Sequence, residues 1–142
     1  MTVLNVAMFG SDELAKSIAK ATDQRDVHTY VHKEYQDEVA KIISIIRPAR
    51  YPERLRPLLN AISAGRVGII EVNSVDATLG EVLVAFSSSS INLGLVVINP
   101  QNGEWIDEEI VKKMFAQAGL SKWVFIANDG VEAVDAFSQN KY

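Results

Sequence analysis

The chain has 142 residues, with 14 Lys and Arg against 18 Asp and Glu, a formal charge of −4, two histidines and no cysteine. At about 150 residues per domain this predicts a single domain over residues 1–142, large enough to fold without disulfide or structural metal. Thiol nucleophiles, redox pairs, iron–sulfur clusters and sulfur-based zinc sites are excluded, and the mild acidity argues against a broad nucleic-acid footprint. With 48% apolar and 23% charged residues the composition is globular, and no apolar run approaches the ~20 residues of a membrane span, so no membrane partner is expected.

Taken in order, strands and helices alternate. Val3 to Phe9 is a nearly all-apolar run ending at Gly10, as in a strand buried on both faces. Leu14, Ala15, Ile18 and Ala19 then share a helical face, with Ser11 or Asp12 as its cap. Val27 to His32 reads as a more exposed strand and Val39 to Ile46 as a buried one. Pro52 opens a helix carrying Leu55, Leu58, Leu59 and Ile62. The rhythm repeats with a strand from Val67 to Val72 and a helical stripe of Leu79, Val82, Leu83 and Phe86 that runs into Ser87 to Ser90. A strand from Leu93 to Ile98 follows, then a helix capped by Asp107 and stopped by Gly119. Trp123 to Ala127 is the last strand, before a short helix around Val131, Val134 and Phe137. This alternation predicts an α/β fold of three layers: a mostly parallel six-stranded sheet with helices on both faces. Ligands of such sheets bind beyond the carboxyl ends of the strands.

The first such turn, Gly10-Ser11-Asp12-Glu13-Leu14-Ala15-Lys16-Ser17, matches the phosphate-binding pattern G-x-x-x-x-G-K-[ST] at Gly10, Lys16 and Ser17 and fails at Ala15. A Cβ disturbs the close backbone approach a phosphate needs there, and Asp12 and Glu13 add negative charge where cationic or dipolar surroundings are required. The same residues also fit a plain strand–helix turn with an acidic first turn.

Over nearly its whole length the chain resembles the G domain of translational GTPases, of the elongation factor Tu and selenocysteine-specific elongation factor type. Their first strand and loop read V-N-V-G-x-x-G-H-V-D-H-G-K-S, against Leu4 to Ser17 here. Their D-x-P-G-H-x-D-Y signature aligns without gaps from Arg47, and Val72-Asn73-Ser74-Val75-Asp76-Ala77 looks like V-x-x-x-D-G. The N-K-x-D signature falls on Asn99-Pro100-Gln101-Asn102, and the S-A-[KL] element near Ala127-Asn128. The resemblance implies a P-loop GTPase-like fold in a cytoplasmic protein of translation. Of the nucleotide-binding residues it would place here, Gly10, Lys16, Ser17 and Asn99 remain, as a vestigial site. Arg47 stands for the magnesium-linked Asp, Arg50 for the Gly that senses the last phosphate, and Tyr51 for the His that positions water. Asn102 replaces the Asp that reads guanine, offering one acceptor where two are wanted. The span from Lys16 to Arg47 leaves little room for a nucleotide-sensing segment.

His28 and His32 flank Tyr30 on one strand face, and without a third ligand they read as exposed strand residues, so no metal ligand is expected. Glu71 interrupts an apolar strand: either it is buried against Arg47 or Arg50, or, as we favour, it reaches the open crevice at the strand end. Arg47, Arg50, Arg54, Arg56 and Arg66 read as solvated before they read as an anion-binding patch. Trp105 and Trp123 read as packing or loop-anchor residues. No catalytic set assembles. The expectation is an elongation-factor-like pseudo-GTPase module with no catalytic residues or cofactor, serving translation as a binding or structural module. Its partners would be the ribosome, a tRNA or a translation protein, met through the full-length protein, and β-barrel domains would normally follow. The alternative is a divergent but active GTPase using GTP and magnesium.

Overall fold

The computed structural model describes residues 2–23, 27–36, 39–48, 65–89, 91–101, 105–126, 130–139 and 141–142. The helix expected from Pro52 to Ile62, together with Arg50, Tyr51, Asn102, Ala127 and Asn128, lies outside the described residues. In chain order the elements are β1 (Thr2–Phe9), α1 (Asp12–Ile18), β2 (Lys20–Asp23), β3 (Val27–Gln36), β4 (Val39–Pro48) and β5 (Val67–Val72). Then follow α2 (Ala77–Ser87), β6 (Gly94–Ile98), α3 (Glu108–Gln117), β7 (Val124–Ile126) and α4 (Gly130–Ser138).

The strands form a 7-stranded sheet in the order β2-β3-β4-β1-β5-β6-β7. From β4 to β7 every pairing is parallel, with β1 at the centre between β4 and β5. β2 and β3 run antiparallel to their neighbours at one edge. The sheet is therefore mostly parallel, as expected, but among the described residues it has seven strands rather than six. The added strand, Lys20-Ala21-Thr22-Asp23, pairs with His28 to Val31. It carries no apolar alternation, and the contacts of Thr29 with Thr22 that hold it are polar.

Side chains of period two divide the sheet between two cores. Leu4, Val6 and Met8 of β1 join Val67 and Ile69 of β5 and Leu95 and Val97 of β6 on one face, covered by α1 and α4. Ala7, Ile70, Val72 and Val96 face the other way, under α2 and α3. The three-layer arrangement follows from these two clusters. Caps end the helices as the side chains require: Ser11 Oγ accepts from Leu14 N (3.1 Å), Asp76 from Leu79 N (3.0 Å) and Asp107 from Glu109 N (3.0 Å). Gly119, at φ 83°, terminates α3 in the left-handed conformation glycine tolerates.

On the α2–α3 face one residue type makes a specific fit. Gly68 of β5 stands opposite Gly94 of β6, and the Trp123 indole lies over both. A Cβ at Gly68 would stand 2.9 Å from the Phe86 ring, and one at Gly94 would stand 2.8 Å from the indole. Phe86 meets Trp123 edge-on with ring centroids 5.4 Å apart, and Phe115 packs at 6.0 Å. Trp123 is thus a core residue. Trp105 is 83% exposed, which corrects its reading as a packing residue. Tyr30 also departs from expectation: β3 is not a mainly exposed strand, since Tyr30 and Thr29 are buried and His28 and His32 are half-buried.

Candidate functional site

The carboxyl ends of β1, β5 and β6 meet where the sheet-end rule places a ligand. Gly10 follows β1, Glu71 sits near the end of β5, and Asn99 follows β6, its N–H donating to Val72 O at 2.8 Å. Val67, Ile69 and Glu71 point to the same face by strand alternation, so the third of the series arrives under the first turn of α1.

Glu71 is buried, 1% exposed, not open to the crevice as expected, and neither does Arg47 hold it. Its Oε1 accepts from the Ser11 backbone N–H at 2.6 Å, and its Oε2 from Asn99 Nδ2 at 2.9 Å. The approach is close enough that a Cβ at Gly10 would lie 2.9 Å from Glu71 Cβ and 2.8 Å from Met8 Cε. Asn99 is held in turn by Asn73, whose Nδ2 donates to Asn99 O at 3.0 Å. Sequence reasoning singled out Glu71, Ser11 and Asn99 separately but did not pair them, since Ser11 and Asn99 lie 60 and 28 positions from Glu71.

Arg47, from the end of β4, ties the loop from the other side. Its Nε donates to Tyr30 Oη at 3.0 Å and its Nη1 to Gly10 O at 3.3 Å. Tyr30 Oη donates onward to Asp12 Oδ1 at 2.8 Å, and Asp12 Oδ2 pairs with Lys16 Nζ at 2.9 Å. The Lys16 ammonium, then the Tyr30 hydroxyl, and more weakly the Arg47 charge hold the Asp12 carboxyl below its ordinary value. Burial, reinforced by Asp12, raises the Tyr30 phenol against the pull of Arg47.

The structure therefore places the four sequence-predicted residues as follows. Gly10 and Asn99 converge on the Glu71 carboxylate. Lys16 is turned to Asp12, with its side chain 59% exposed. Ser17 Oγ donates to Leu14 O at 2.6 Å, within its own helix, and a Cβ on Gly130 would lie 2.5 Å from that hydroxyl. A cavity of about 300 Å³ remains beside them, lined by Ser11, Glu13, Leu14, Ser17, Glu71, Asn99 and Gly130. Among the described residues its walls hold the carboxyl groups of Glu13 and Glu71 and no lysine or arginine. A second cavity of about 360 Å³ lies at the ends of β6 and β7, against Ile98, Ile106, Phe125, Ile126 and Glu108. Among the described residues no group of three or more His, Asp or Glu is placed to hold a metal ion, and no helix is long and apolar enough to cross a membrane.

No protein-family profile matches the chain. Over 130 residues, 91% of its length, it is 27% identical to a protein of the archaeon Methanocaldococcus jannaschii described as uncharacterized. The chain spans 40% of the length of that relative.

Proposed function

We propose that this chain is a G-domain-like module, of the type in translational elongation factors, that works without GTP as a binding or structural part of the translation apparatus. The observation that carries the reading is the Glu71 carboxylate at the head of α1. A carboxylate accepting the Ser11 N–H uses a donor that a phosphate would need, and it sets negative charge beside any incoming phosphate. Asp12 neutralises Lys16, Ser17 bonds within its helix, and Arg47 brings a cation where the resemblance expects a magnesium-linked acid. In support of the fold assignment, removing β2 leaves six strands with one antiparallel edge strand beside a parallel sheet. The translation assignment rests on the sequence resemblance alone, and the ribosome, a tRNA or a translation protein would be its partner.

The 300 Å³ cavity beside Ser11, Ser17 and Asn99 favours a second reading, a divergent GTPase. Thermal shift and titration calorimetry with GTP, GDP and ATP plus magnesium separate the two. A ligand at about 100 times its Kd that binds only the folded state adds roughly 2.7 kcal/mol of stability, a rise in Tm of several degrees. The pseudo-GTPase reading expects no rise with any nucleotide. Micromolar binding of GTP or GDP, abolished by Lys16→Ala, would overturn it.

A further inference from the structure

Gly10 and Asn99 stand where the resemblance assigns nucleotide contacts, yet both touch Glu71. Three strand ends meet at this carboxylate. Ser11 N–H, just beyond β1, donates to Oε1, and Asn99, just beyond β6, donates to Oε2, while Glu71 itself belongs to β5. Gly10 has the space of a hydrogen atom, not of a methyl group, against the Glu71 stem. Each carboxylate oxygen has a donor, so the buried charge is satisfied from inside the chain.

We propose that Glu71 is an internal tie that replaces a bound ligand at the head of the sheet, and that Gly10 and Asn99 serve this chain by holding it. The inference rests on the reading of the site as one that no nucleotide fills, and extends it. In a nucleotide-binding sheet, the loop after β1 and the turn after β6 are bridged by a molecule that comes and goes. Here a side chain of β5 bridges them from within the chain, beside the 300 Å³ cavity. Arg47 braces the same loop from β4 through Gly10 O, which leaves the Ser11 N–H directed at Glu71.

The tie makes a prediction that a merely buried carboxylate would not: its donor and acceptor can be exchanged. Asn99→Asp sets a second carboxylate against Glu71 Oε2, and at pH 7 Tm should fall by about 5 °C or more. Adding Glu71→Gln restores a pair, because the new amide keeps an oxygen for Ser11 N–H and offers its NH₂ to the new carboxylate. The double variant should recover at least half of that loss. If Asn99→Asp does not fold, recovery of a cooperative transition in the double variant is the same result. Amide exchange gives an independent readout: Ser11 N–H should be protected in the wild type and exchange at least tenfold faster in Glu71→Ala. Losses that add in the double variant, or Ser11 exchange unchanged by Glu71→Ala, would overturn the tie. GTP raising Tm while the exchange of partners still succeeds would sink the reading of the site as nucleotide-free, and with it the role of Glu71 as a ligand's replacement, while leaving the Ser11–Glu71–Asn99 contacts in place. Silence with every nucleotide and additive losses would sink the tie alone.

Discussion

The surroundings of Trp123 leave its side chain little freedom. Its indole fits only because Gly68 and Gly94 lack side chains beneath it, and Phe86 and Phe115 close around it. Gly68→Ala pushes a methyl group into both the indole and the Phe86 ring, and overpacking of this kind costs about 1–3 kcal/mol. The same substitution made in a Trp123→Leu background should cost clearly less, and a double-mutant cycle by chemical denaturation measures that coupling. Asp76 illustrates a different single-residue effect. The Ser74 hydroxyl first, and then the Leu79 N–H, hold its carboxyl below the ordinary value of 3.8. Because the folded-state value is depressed, the cap contributes fully above the unfolded value and is lost as pH falls through the folded one. Asp76→Ala should therefore cost about 1 kcal/mol near neutral pH. The gap between wild type and variant should narrow in strongly acidic solution, which denaturation curves across that range would record.

At the scale of elements, α4 is joined to the β3–β4 hairpin by polar contacts at its C-terminal end. Lys41 of β4 donates to Phe137 O at 3.1 Å and to Ser138 O, while Ser138 Oγ bonds Glu34 of β3. A cation at a helix C-terminus satisfies open carbonyls and opposes the helix dipole, worth about 0.3–1 kcal/mol. Lys41→Met should lower stability by about that amount and speed amide exchange in the last turn of α4 more than in α1. Much at this scale was legible. Ser11, Asp107 and Gly119 end their helices as their chemistry requires, and the stripe of Leu79, Val82, Leu83 and Phe86 is buried as spaced. The illegible parts have physical causes. β2 lacks alternation because it is a short edge strand held by backbone and threonine contacts, and β3 runs on to Gln36 through Lys33, Glu34 and Tyr35, whose polarity reads as loop. At the site, a lone glutamate in an apolar strand is compatible with both burial and exposure. What decided for burial was a backbone N–H and an amide brought near only by the folded sheet.

For the molecule as a whole, two cores on either side of one central sheet mean that neither face is complete without β1, β5 and β6, which contribute to both. The strand ends at the head of that sheet are joined by contacts within the chain, and the predicted silence toward nucleotides rests on those contacts. The glycine pair adds a consequence for how the sheet assembles. Neighbouring parallel strands can exchange hydrogen bonds in several alignments that differ little in backbone terms. Only the alignment that sets Gly68 across from Gly94 leaves a bare patch of backbone wide enough for an indole. A slip by one residue turns the neighbouring side chains of each strand onto the wrong face. A slip by two brings Val96 of β6 opposite Gly68 and fills the patch. The observed pairing of β5 with β6 is thus the one that leaves room for the Trp123 indole over Gly68 and Gly94.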